Sequence, residues 1–154
     1  MTKEALQDEA RKFLDEQVTA VLATVSIMDK PRAATMYFYT DNDFNFYFLT
    51  ARDSHKLKNI EKNNNVAIVV GFGPQSTTVQ AGGTAETNLD FNEEFIDKVF
   101  KKTEFHNPDQ WPVLRLEKTG LVMIKVTPTW MTFLNFEKHV EPDMQDHHIY
   151  TLIP

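Results

Sequence analysis

Residues 46–70 read FYFLTARDSHKLKNIEKNNNVAIVV, and this stretch decides the fold. Its aromatic opening, within a run from Phe44 to Thr50, suits a β-strand. A short loop, Ala51-Arg52-Asp53, follows. Ser54 then offers its hydroxyl as N-cap to a short helix over about His55–Asn63, with Leu57 and Ile60 facing inward. Asn63-Asn64-Asn65 ends the helix, and Val66–Phe72 reads as a strand.

Upstream, the β-branched segment Thr19–Met28, the turn Asp29-Lys30-Pro31, and Arg32–Thr40 predict two strands. With the turn Asp41-Asn42-Asp43 and the strand Phe44–Thr50 they form an antiparallel meander. Before them, Leu6, Ala10, Phe13 and Leu14 share one face of a helix from Lys3 to about Gln17. Downstream, Thr77–Glu86 pairs with Val66–Phe72 across Gly73-Pro74-Gln75-Ser76. Asp90 with Glu93 resembles a capping box for a helix reaching about Lys102. Its buried face would be Phe91, Phe95, Ile96, Val99 and Phe100. Pro108 and Pro112 break up residues 107–118. Leu121–Val126 and Trp130–Phe136 read as strands joined at Thr127-Pro128-Thr129, and Ile149–Ile153 as an edge strand.

About seven mostly antiparallel strands with two or three helices are too continuous for a doubly wound parallel sheet. The expected fold is mainly β with flanking helices: a closed or split antiparallel β-barrel with helices over its openings. One domain spans residues 1–154, with a helix at 3–17, a barrel at about 19–136 and a tail at 137–154.

The 154 residues are 42% hydrophobic and 25% charged, within the globular range. Without cysteine the chain has no disulfide or thiol nucleophile. It has no apolar run of membrane-spanning length. The charged, amphipathic N-terminus lacks a secretory core, so a cytoplasmic protein is expected. A net charge of −6 disfavours nucleic acid as a partner. The charge is uneven, however. Residues 30–70 carry Lys30, Arg32, Arg52, Lys56, Lys58 and Lys62 against Asp41, Asp43, Asp53 and Glu61.

This positive island surrounds the start of the 55–63 helix. A helix N-terminus presents unpaired N–H groups and a positive dipole end. Ser54 adds a hydroxyl, and Arg52 and Lys56 add charge. Two readings stand at this level: an anion site, or a capping serine beside solvated lysines. His139, His147 and His148 lie in a polar tail and form no metal-site pattern, and no metal is expected. The aromatics Tyr37, Phe38, Tyr39, Phe44, Phe46, Tyr47 and Phe48 read as core and cross-strand pairs, or as stacking partners for a planar ring. In a small barrel some of them would lie exposed at the open side and mark an interface.

From about Ala20 to Glu86 the chain resembles the FMN-binding split barrels of the pyridoxamine 5′-phosphate oxidase-like family. The resemblance rests on LATVSIMDKPRAATMYFY, on the Thr50…Ser54-x-Lys56 pattern with its helix and Asn-rich turn, and on TVQAGGTAE. It implies a homodimer with FMN at the subunit interface. It also implies a cofactor-binding set of Arg32, Ala34, Thr35 and Tyr37 on the second strand, Leu49 and Thr50 on the third, and Arg52, Ser54, His55 and Lys56 after it. Arg32, Ser54 and Lys56 would hold the phosphate. The chain departs from the vitamin B6 oxidase proper in several places. His55 stands where that enzyme has Arg, Tyr37 where it has Lys, and Leu134 where it has a flavin-side Trp. Residues 135–154 lack its Arg-x-His motif.

The resemblance therefore implies a flavin-dependent oxidoreductase acting on some other small molecule, with no side chain assigned a catalytic role. Other readings are a non-catalytic flavin-binding stress or sensor protein, a haem or deazaflavin binder on the same barrel, and a single-strand binder using aromatic stacking.

Overall fold

The computed structural model describes residues 2–74, 76–90, 92–102, 120–136 and 149–153. Seven strands, β1 (Thr19–Val25), β2 (Pro31–Thr40), β3 (Phe46–Ala51), β4 (Asn65–Gly71), β5 (Thr77–Asp90), β6 (Leu121–Asn135) and β7 (Ile149–Ile153), form one antiparallel sheet. Their order is β3-β2-β1-β4-β5-β6-β7, and pairing of β3 with β6 closes the first six into a barrel. The closure removes two sheet edges that would otherwise expose unpaired backbone. Among the described residues three helices accompany it: α1 (Lys3–Glu16), α2 (His55–Lys62) and α3 (Glu93–Phe100).

The meander carries apolar residues on both faces because both faces are covered. Phe38, Phe46, Phe48, Ile124 and Val126 point into the barrel core. Their strand neighbours Tyr39, Leu49, Leu121 and Met123 form a second cluster with Phe95 and Val99 of α3. Strands buried on two sides read as nearly continuous apolar runs, and FYFL and LVMI do so. Tyr39 and Tyr47 stack at 4.7 Å between ring centres. Burial, then nearby Glu94 and other acidic neighbours, push the Tyr39 hydroxyl up to about 12. Helix α1 closes another side, with Ala10, Phe13 and Leu14 buried.

Several expectations need correction. β1 stops at Val25, not Met28, because Ser26 Oγ accepts from the backbone N–H of Met28 and Lys30 and folds the chain into a turn. β3 begins at Phe46, because Phe44 sits at φ +64° in the preceding turn. The cap of α3 is Asn92, whose Oδ1 accepts from Phe95 N, while Asp90 still belongs to β5. Leu121–Asn135 is one strand running through Pro128. The proline faces Gly83 at a register shift, where an N–H is not needed for the ladder. A Cβ on Gly83 would meet the backbone of Thr127 and Pro128, so only glycine permits this approach.

The expected exposed aromatics of residues 37–48 are inside. Phe38, Phe46 and Phe48 are fully buried, Tyr39 and Phe44 nearly so, and Tyr37 and Tyr47 half-buried. Among the described residues, the exposed large apolar ones lie elsewhere: Val21, Ile27, Met28, Val69, Phe72, Trp130 and Phe136. The expectations for Phe91, the Phe100 side chain, residues 107–118 and the tail histidines fall outside the described residues. No described helix is long and apolar enough to cross a membrane.

Candidate functional site

Register places the site. Thr24 pairs with Arg32 and Leu22 with Ala34 across β1 and β2, so these four side chains share one face at the strand ends. Helix α2 packs beside them, anchored by buried Leu57 and Ile60. Ser54 caps it by accepting from Leu57 N at 3.3 Å, and Thr50 at the end of β3 donates its hydroxyl to Ser54 Oγ at 3.1 Å. Lys62 Nζ donates to the Ile27 carbonyl and ties the β1–β2 turn to α2. A cavity of about 450 Å³ lies between these pieces.

Its lining includes Lys30, Arg32, Lys56 and Lys58, and among the described residues it includes no Asp or Glu. None of the four cations has an ion-pair partner among the described residues. The first turn of α2 also contains no acid, so its dipole adds positive potential. Four unneutralised cations around one concavity repel each other unless an anion sits between them. The rest of the wall is mixed. Leu22, Ile27 and Met28 are apolar; Thr24, Ser26 and Asn59 are polar. The chemistry fits a phosphate ester with an organic body.

The expected residues separate into three groups. Arg32, Ala34, His55 and Lys56 line the cavity. Thr50 and Ser54 are joined to each other at the junction that sets the start of α2, and Arg52 is held in that loop by its backbone N–H to the Gly120 carbonyl. Thr35, Tyr37 and Leu49 are elsewhere. Thr35 is exposed and pairs with Val21; Tyr37 packs against the cluster under α3, and Leu49 is buried within it. Lys30, Lys58, Thr24 and Asn59 were not among the expected site residues. Lys30 and Lys58 belong to the positive island, but Thr24 and Asn59 needed the strand register and the burial of α2 to be found.

Residues 6–135 match the sequence profile of the family described as pyridoxamine 5′-phosphate oxidase. General stress protein 26 of Bacillus subtilis (strain 168) is 30% identical over 103 residues, 65% of this chain and 71% of that protein. Among solved structures, general stress protein 26 from Bacillus anthracis str. Sterne superposes with a TM-score of 0.64 at 27% identity, covering 83% of this chain and 92% of that one. An F420 reductase superposes with a TM-score of 0.63 at 25% identity, covering 79% and 94%.

Proposed function

This chain belongs to the pyridoxamine 5′-phosphate oxidase family, and from that premise we propose that it binds FMN and serves as a flavin-dependent oxidoreductase. The observation that carries the reading is the cavity whose lining has four cations and, among the described residues, no carboxylate. Arg32 and Lys56 would hold the phosphate, with Lys30 and Lys58 beside them and the α2 N-terminus adding its dipole. Leu22, Ile27 and Met28 give the organic part an apolar wall. Once bound, the flavin supplies the hydride or electron chemistry, and the protein supplies position and electrostatics. The chain's residues anchor and orient; none is assigned a proton transfer.

The B6 phosphates are not the proposed substrates. Such a substrate needs a second set of cations, and Tyr37 stands where the oxidase proper has Lys. A phenol supplies no positive charge near neutral pH.

A deazaflavin is the second reading, favoured by the likeness to the F420 reductase. A deazaflavin phosphate would present the same kind of anion to Arg32 and Lys56. The visible spectrum of the purified protein and the mass of any released cofactor separate the two. The proposal expects a flavin spectrum and the mass of FMN, without steady turnover of pyridoxamine 5′-phosphate. A deazaflavin spectrum, or haem, overturns the FMN assignment.

A further inference from the structure

The cavity holds a buried polar pair that phosphate binding leaves unused. Asn59 follows Lys56 by three residues on α2, so the two share a helix face. Asn59 is 7% exposed and Thr24 2%, and both line the cavity. Asn59 Nδ2 donates to Thr24 Oγ1 at 3.1 Å. Among the described residues, nothing accepts the Thr24 hydroxyl proton and nothing donates to Asn59 Oδ1. Turning the amide over exchanges donor and acceptor but still leaves one amide end without a partner.

A buried polar group left unpaired pays its desolvation without recompense. Two such groups, one offering a proton and the other accepting one, are complementary to a hydroxyl, which does both. A phosphate at neutral pH chiefly accepts, so it cannot satisfy the amide oxygen. The cations therefore account for the anion, and the Asn59–Thr24 pair asks for something attached to it.

We propose that Asn59 and Thr24 form a hydroxyl-reading subsite, which makes the cavity selective for a phosphate ester on a hydroxylated carbon chain. The inference rests on the phosphate reading of Arg32 and Lys56. Residues three apart on a helix have Cβ atoms about 5–6 Å apart. That spacing lets one ligand meet Lys56 with its phosphate and Asn59 with a hydroxyl a few bonds along the chain. The ribityl phosphate of FMN has this chemistry.

The test is a pair of fluorescence titrations. One uses FMN; the other uses a flavin whose five-carbon phosphate chain carries no hydroxyls. Wild-type protein is expected to prefer FMN by about tenfold or more, because a site built to bond a hydroxyl rejects the analogue lacking it. Asn59→Leu and Thr24→Val should each reduce the preference to about threefold or less while still binding the hydroxyl-free flavin. Thr24→Val is nearly isosteric, and thermal melts confirm that each variant is folded. An unchanged preference in the folded variants overturns the subsite and leaves the phosphate reading standing. Equal binding of both flavins by the wild type does the same. Wild type that binds neither flavin overturns both.

Discussion

Arg32 and Lys56 reach one cavity from a strand and a helix, so removing either should weaken an anion without disturbing the barrel. Arg32 is exposed and Lys56 half-buried, and neither is part of the core. Hydrogen bonds to charged groups contribute roughly 1.5–3 kcal/mol, so Arg32→Ala and Lys56→Ala should each raise the FMN dissociation constant about tenfold or more. Titration of both variants, with circular dichroism as the folding control, checks this. Wild-type affinity in both would place the phosphate elsewhere. At this scale the sequence was partly legible. Ser54 and Lys56 announced themselves, because a capping serine and a first-turn lysine follow a strand. Thr24 and Asn59 did not. A threonine in a strand and an asparagine in a helix read as ordinary polar residues until pairing sets Thr24 opposite Arg32 and burial turns Asn59 inward.

At the scale of elements, Lys102 fastens α3 to two neighbours. Its Nζ donates to the Leu14 carbonyl at the end of α1 and to the Phe38 carbonyl of β2, and it lies 4.4 Å from the centre of the Phe38 ring. Burial pushes the ammonium down to about 8 from 10.5, with Asp15 of α1 acting against the shift. Between those values the unfolded chain binds more protons than the folded one. Stability from this group therefore rises with pH across the window. The penalty on the charged form, present below about pH 8, corresponds to roughly 3 kcal/mol at most. Thermal melts of wild type and Lys102→Met from pH 7 to pH 10 should show the wild type gaining on the variant as pH rises. A constant difference would contradict the buried charge.

Element boundaries were less legible than element types. Pro128 suggested a break, yet β6 runs through it because Gly83 gives way on the facing strand. Asp90 and Glu93 have capping spacing, but Asn92 caps the helix, its Oδ1 accepting from Phe95 N, because β5 continues to Asp90. Both misreadings come from long-range pairing overriding a local signal. The meander, by contrast, was readable from its β-branched and aromatic runs and its turn residues.

For the whole molecule, barrel closure leaves an uncharged outward stretch across β2, β1 and β4. Val21 pairs with Thr35 on one side and Val69 on the other, and Ala23 sits likewise between Ala33 and Ala67. Val21 is 36% and Val69 41% exposed. Small apolar residues in two adjacent rows suit close approach by another sheet, and Ala33 at their edge also lines the cavity. A homodimer through this face would bring each partner close to the other's site. Light scattering should give twice the monomer mass, and Val21→Glu with Val69→Glu should shift it toward monomer and weaken FMN binding. A doubly substituted protein that stays dimeric would place the interface elsewhere. The barrel was legible before the structure because closure follows from continuous short strands. This face was not, because the sequence pointed to the aromatics of residues 37–48, which the barrel and α3 bury.

On the proposed reading, an unneutralised cationic cavity holds the phosphate of a flavin. Calorimetric titration of the wild-type protein with FMN and with riboflavin tests it most directly, since the two differ only in that phosphate. FMN should bind at least about a hundredfold more tightly, because riboflavin forgoes two or more charge-assisted hydrogen bonds, and the FMN constant should weaken with salt. Equal affinity for FMN and riboflavin would contradict it.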